Sequence, residues 1–135
     1  MIRRATAADL DRLTEWGARF HAASGMAAPY DAQATRGFVA GLIDSPQAVV
    51  LVHDAGMIGG VLSPAYCAPG WLIAVELFWW AERDGMALLR AFEAWAQDAG
   101  ADEIRMTTLA ALPRAAKLMA RGGYAPAETS YSKVI

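Results

Sequence analysis

At 135 residues the chain is the size of one domain with room for a sizeable core. Its net charge of −2, with no basic cluster beyond Arg3-Arg4, argues against a nucleic-acid binder, and the lone Cys67 rules out an internal disulfide framework or a cysteine-built metal site. Although 56% of the residues are apolar, no run nears the ~20 that a membrane span requires. The opening Met-Ile-Arg-Arg-Ala-Thr has no apolar leader, so a soluble cytoplasmic protein is expected.

Residues 2–5 read as a short strand. Thr6 is placed to cap a helix, with Asp9 three residues on completing a capping box, and Leu10, Leu13, Gly17 and Phe20 follow at helical spacing. Residues 21–30, with Gly25 and Pro29, are expected to form a loop. Asp31 caps a second helix over 32–42, with Phe38 and Leu42 facing inward and Ser45-Pro46 ending it. Residues 48–53 form a strand, Asp54-Ala55-Gly56 a hairpin turn, and 57–62 the antiparallel partner. Gly59 and Gly60 weaken that partner or mark a bulge or a close approach. A loop containing Pro64 and Pro69 spans 63–70.

Residues 71–80 are almost wholly apolar, with Glu76 the only charge, which suits a strand inside a sheet. From Met86 the period changes to helical: Met86, Leu89, Phe92, Ala96 and Ala99 share a stripe, and Gly100 ends the helix. A strand that feeds a helix through the turn Ala81-Glu82-Arg83-Asp84-Gly85 leaves backbone N–H groups at the helix start, where they can hold an anion. Residues 104–108 return as a strand, Pro113 opens a last helix that stops at Gly122-Gly123, and the chain from Tyr124 is β-prone. The order is β-α-α-β-β-β-α-β-α-β. The strand–helix–strand unit over 71–108 implies a parallel pair with a right-handed crossover, and the hairpin makes the sheet mixed. A ligand is expected where a strand's carboxyl end meets a helix N-terminus.

This order of elements, with ELFWW followed by a glycine turn and ALLRAFEAWA, resembles the GNAT superfamily of acyl-CoA N-acyltransferases. It is most similar to the small members carried by phages and prophages. The opening IRRATAADLDRL, the strand pair AVVLVHDAGMIGGVL and the close RAAKLMARGGYAPAETSYSKVI extend the likeness over nearly the whole chain. The resemblance implies one GNAT-like α/β domain: a mixed, mostly antiparallel sheet with a central parallel strand pair, flanked by helices on both faces. It also implies transfer of an acetyl group from acetyl-CoA to an amine of a small molecule or a protein. In the family the fourth strand splays from the fifth, and the pantetheine arm lies in the gap, here against Leu77, Phe78, Trp79 and Trp80. The diphosphate rests on a turn of pattern Gln/Arg-x-x-Gly-x-Gly/Ala, which makes Arg83, Asp84, Gly85, Met86 and Ala87 the remaining cofactor-binding candidates.

The sequence departs from the family at two places. Glu82 stands where the pattern has Gln or Arg, and starting from Arg83 instead leaves the turn one residue short. Either way Glu82 and Asp84 flank the diphosphate, and Arg83 only partly offsets them. Met119 falls at the tyrosine that, in the family, donates a proton to the departing sulfur; a thioether cannot donate one. Leu112 replaces an asparagine of many members.

Glu76 is the catalytic candidate, at a place where some members have a glutamate that accepts the amine proton. Strand alternation puts Glu76, Phe78 and Trp80 on one face and Val75, Leu77 and Trp79 on the other. Apolar surroundings raise a carboxyl pKa toward that of a general base at neutral pH; a glutamate bonded to a neighbour for structural reasons is the other reading. Phe20 and Tyr30, flanking the first loop, are the candidates for the acceptor-side wall. His21 and His53 have no second ligand at metal spacing and read as surface or loop residues, so no metal is expected. The competing function is a non-catalytic GNAT-fold binding or assembly protein, as a homodimer or within a phage-related particle, which the altered turn and Met119 favour.

Overall fold

The computed structural model describes residues 1–135. Strand β2 (Ala48–His53) is buried along its whole length, because Ala-Val-Val-Leu-Val offers apolar side chains to both faces. Ala48, Val50 and Val52 join one core with Leu10, Leu13, Trp16, Val39 and Leu42. Val49 and Leu51 join the other with Ile58, Leu88, Phe92 and Ala96. One six-residue strand thus belongs to two cores, divided by the period-2 alternation of its side chains. Helices α1 (Leu10–Ser24) and α2 (Ala32–Asp44) supply the first layer and α3 (Gly85–Asp98) the second.

The sheet runs β1 (Arg3–Arg4), β2, β3 (Gly56–Ala65), β4 (Ala68–Ala81), β5 (Glu103–Arg105) in that order. All neighbours are antiparallel except β4 and β5, which are parallel and stand at one end of the sheet. A last helix, α4 (Pro113–Arg121), follows β5. The chain is therefore the mixed, mostly antiparallel α/β fold with helices on both faces that the sequence implies. No helix is long and apolar enough to cross a membrane.

The helix starts follow their side chains. Asp31 accepts from the Ala34 N–H at 2.9 Å and caps α2. Asp9 accepts from the Thr6 N–H at 2.8 Å and is held by two Arg3 nitrogens at 2.7 and 2.8 Å, closing a short 3-10 turn (Ala7–Asp9) that leads into α1.

Four details differ from the sequence expectation. Helix α1 continues past His21 to Ser24 and ends on Gly25, whose φ of 74° is the left-handed conformation that closes helices. Phe38 is 55% exposed: Val39, Leu42 and Ile43 define the inward stripe of α2, and Phe38 points roughly a third of a turn away from it. Residues 63–70 are not a loop but the ends of β3 and β4, joined at Tyr66-Cys67. Both prolines fit because the ladder is irregular there: the register shifts between Pro64 and Ala65, leaving Pro69 without a cross-strand partner. The chain beyond Tyr124 forms no strand, since Ala125-Pro126-Ala127-Glu128-Thr129-Ser130 has neither apolar alternation nor an uninterrupted set of N–H donors.

Candidate active site at the parting of two strands

Strand β5 pairs with β4 at only three positions, Ile73 with Glu103, Ala74 with Ile104 and Val75 with Arg105. Glu103 braces this short ladder, accepting from the Trp71 indole N–H at 3.0 Å and from Arg105 Nε at 2.6 Å. Past Val75 the strands part. Strand β4 continues to Ala81 with no strand on that side, so its backbone edge is open to a ligand's hydrogen bonds.

Glu76 is the first residue beyond the ladder. Its side chain is 6% exposed, and Oε2 accepts from the Thr107 N–H at 3.1 Å, bridging the gap at its apex. Burial raises its pKa to about 7, and the Thr107 N–H works in the opposite direction. No basic side chain lies within ion-pair distance, and Oε1 has no protein partner.

The alternation expected along β4 fails at Leu77. Gly59 pairs with Phe78 and Gly60 with Glu76, so Leu77 is an extra residue bulged out of the ladder. Upstream of it Glu76 lies on the α3 face, opposite Gly60, whose added Cβ would stand 2.6 Å from the Phe92 ring. Downstream, Phe78 and Trp80 lie on the α1–α2 face and Trp79 on the α3 face. Glu76 therefore does not share a face with Phe78 and Trp80. The two glycines make the bulge possible: a Cβ on Gly59 would come within 2.3 Å of the Phe78 ring.

Phe78 forms a wall of a pocket of about 370 Å³ between the sheet and the α1–α2 connection. Phe20 and Tyr30 line the same pocket, so these two candidates and Phe78 are brought together. Tyr30 reaches across α1 over Gly17 and donates to the Thr14 carbonyl at 2.6 Å. The Trp79 indole N–H donates to the Gly85 carbonyl at 3.1 Å, fixing the start of α3. Trp80 packs on the first core with its indole nitrogen buried and unpartnered.

The turn from β4 to α3 is tied down from several sides. Glu82 pairs with Arg19, which also holds Glu15 at 2.7 Å; Arg83 pairs with Asp54. The Glu82 N–H donates to the Ala55 carbonyl at 2.9 Å. His53 was expected at the surface but is buried. Its Nδ1 accepts from the Ala55 N–H at 2.9 Å, which leaves Nε2–H to face the Asp84 carbonyl at 3.4 Å. The clue in the sequence was its place just ahead of a tight turn, where a side-chain acceptor satisfies the N–H two residues on. Asp84 adopts φ 54°, the one non-glycine residue with positive φ. No side chain caps the start of α3, so its first N–H groups remain available to an anion. The adjoining Met86 and Ala87 form its first turn.

Met119 is buried in α4. Tyr124, just beyond, donates to Glu93 at 2.8 Å, and burial together with that carboxylate pushes its pKa up, so it is a poor proton donor to a thiolate. No group of three or more His, Cys, Asp or Glu side chains is arranged to hold a metal ion.

No protein-family model matches the sequence, and no curated protein sequence matches it. Solved structures do. A predicted acetyltransferase with acetyl-CoA from Clostridium acetobutylicum superposes with a TM-score of 0.79 at 11% identity, over 99% of this chain and 95% of the other. A ribosomal-protein-alanine N-acetyltransferase from Brucella melitensis gives 0.72 at 14% identity, over 100% and 99%. An acetyl transferase from Pyrococcus furiosus gives 0.76 at 18% identity, over the same shares. The chain has the GNAT fold.

The GNAT fold makes the parting of β4 and β5 and the turn into α3 the places to test for acetyl-CoA. The open β4 edge past Val75 fits an arm that carries amide groups. The turn fits a diphosphate less well. It offers uncapped N–H groups, but around it Glu15, Asp54, Glu82 and Asp84 outnumber Arg19 and Arg83, and both arginines are already paired.

Proposed function

We propose that this protein is an N-acetyltransferase that moves the acetyl group of acetyl-CoA to an amine. The observation that carries this reading is the open edge of β4 beyond Val75 with the buried carboxyl of Glu76 at its apex. Backbone groups of Leu77, Phe78, Trp79 and Trp80 would hold the pantetheine arm. The N–H groups of Gly85 and Met86 at the start of α3, with Ala87 behind them, would receive the diphosphate. Arg83 would leave Asp54 to reach it, and Asp84 opposes it.

Acetyl-CoA supplies an activated acyl group; the chain supplies position and a proton acceptor. A neutral amine held beside β4 attacks the thioester carbonyl, and backbone N–H groups of the open edge stabilise the charge that develops on its oxygen. A carbon–nitrogen bond forms, the carbon–sulfur bond breaks, and the amine proton passes to Oε1 of Glu76, the oxygen not engaged by Thr107. With Met119 unable to donate, the proton returns to the thiolate from Glu76 or from solvent. A pKa of about 7 keeps both forms of the carboxyl accessible at neutral pH.

Thiol release from acetyl-CoA across a panel of amines tests the proposal. Glu76→Gln should lower kcat by at least about 100-fold with acetyl-CoA affinity unchanged, and kcat/KM of the wild type should rise with pH through about 7 and rise further as the free amine loses its own proton. Turnover that survives in Glu76→Gln would overturn the role of Glu76. The crowded acids at the turn favour a second reading, a GNAT-fold protein that binds or assembles with a partner and holds no acetyl-CoA. Saturable acetyl-CoA binding separates the two.

A further inference from the structure

We infer that the acceptor is a monoamine with an apolar body, arylalkyl or branched alkyl and without an anionic group, and that this body fills the pocket bounded by Phe20, Tyr30 and Phe78. The fate of the amine rests on the acetyltransferase reading; the fit of the body does not. Three observations point the same way.

The first is size and lining. About 370 Å³ is ample for an aromatic ring, since an apolar cavity of ~150 Å³ already takes benzene. Met57 and Val39 line the pocket with the three aromatic side chains.

The second is the state of its polar groups. Tyr30 Oη donates to the Thr14 carbonyl at 2.6 Å, Thr35 Oγ1 to the Asp31 carbonyl at 2.8 Å, and His21 Nε2 is bonded to the Ala28 carbonyl at 2.6 Å. These groups are engaged within the protein, and the carboxylate oxygen left free, Asp31 Oδ2, belongs to an exposed residue, so a second ammonium or a hydroxyl seated among Phe20, Phe78, Met57 and Val39 would lose its water without replacement.

The third is charge. No Lys or Arg lines the pocket, and Asp31 is its single carboxylate, with Oδ1 engaged in capping α2. An amino acid would bring its carboxylate to a site with no cation to receive it. Phe78 belongs both to the pocket wall and to the stretch of β4 that runs past β5, and since Glu76 lies on the other face of that strand, the amine would have to meet it through the gap where the two strands part.

Calorimetric titration of the intact protein with 2-phenylethylamine, spermidine and L-phenylalanine, with and without acetyl-CoA, tests the inference. 2-Phenylethylamine should bind at least tenfold more tightly than the other two. Ala34→Trp, at an exposed position on the pocket lining, should weaken it at least tenfold, and Ala28→Trp does the same from the α1–α2 connection should the first variant fold poorly. Binding of 2-phenylethylamine no tighter than spermidine, or unchanged in both variants, overturns the inference. Tight 2-phenylethylamine binding with no thiol release from acetyl-CoA would uphold the pocket and defeat the acetyltransferase reading. Acetylated spermidine with 2-phenylethylamine neither bound nor acetylated would do the reverse.

Discussion

Glu76 ties the stability of this fold to pH. Its pKa moves from 4.5 to about 7 because burial penalises the charged form. Between those values the folded state holds its proton more tightly than the unfolded state, so stability is full below about pH 4.5 and falls as pH rises to 7. The total loss is about 3 kcal/mol. Glu76→Gln keeps an acceptor for the Thr107 N–H and removes the charge. Denaturant unfolding should therefore find the variant more stable than wild type at pH 8 and little changed at pH 4; a wild-type slope that persists in the variant contradicts the assignment. That the carboxyl is perturbed was legible from its apolar strand. Its face was not, because counting by twos cannot see the extra residue at Leu77. The trace of the bulge lay on the neighbouring strand, in Gly59-Gly60. An alanine at Gly60 would meet the Phe92 ring at 2.6 Å and the Val75 carbonyl at 2.5 Å, so Gly60→Ala should cost about 1–3 kcal/mol, read as a lower urea midpoint at unchanged m-value.

Among the elements, the turn from β4 to α3 decides how well an anion is held. Its backbone is prepared for one, with uncapped N–H groups at the helix start, while its side chains oppose one. A carboxylate ~4 Å from a like charge costs about 1 kcal/mol in water-like surroundings. Asp84→Gly should accordingly tighten acetyl-CoA about fivefold in calorimetric titration at low salt, with a smaller gain at high salt. Because φ 54° at Asp84 suits glycine, the variant should fold as wild type does. Unchanged binding in the variant would remove the turn from the site. Local signals made most elements readable: Asp31 as a cap, Gly100 as a helix end, the switch from β to helical period at Met86. The tail after Tyr124 and the hairpin ends over 63–70 were not. The hairpin ends depend on what they pair with across the sheet, which is not written in their own residues, whereas the tail's Pro126 and its lack of apolar alternation outweigh the β-prone residues at its ends.

For the whole molecule, apolar pattern and element order specify the GNAT fold even where superposable structures are only 11–18% identical. The core tolerates exchange of one apolar residue for another of similar volume, so the architecture persists while the chemistry of the site varies. The order of elements could thus be read from periodicity and the architecture from the resemblance that order carries, whereas the pocket that joins Phe20, Tyr30 and Phe78 emerges only when residues far apart in the chain are packed together. On the proposed function, the parting of β4 and β5, with the turn beyond it, receives acetyl-CoA. Thermal unfolding with and without acetyl-CoA, with AMP as control, tests it most directly. Ligand at about 100 times its Kd should add about 2.7 kcal/mol and raise Tm by several degrees, with AMP giving no comparable shift. An unchanged Tm at millimolar acetyl-CoA would contradict the account.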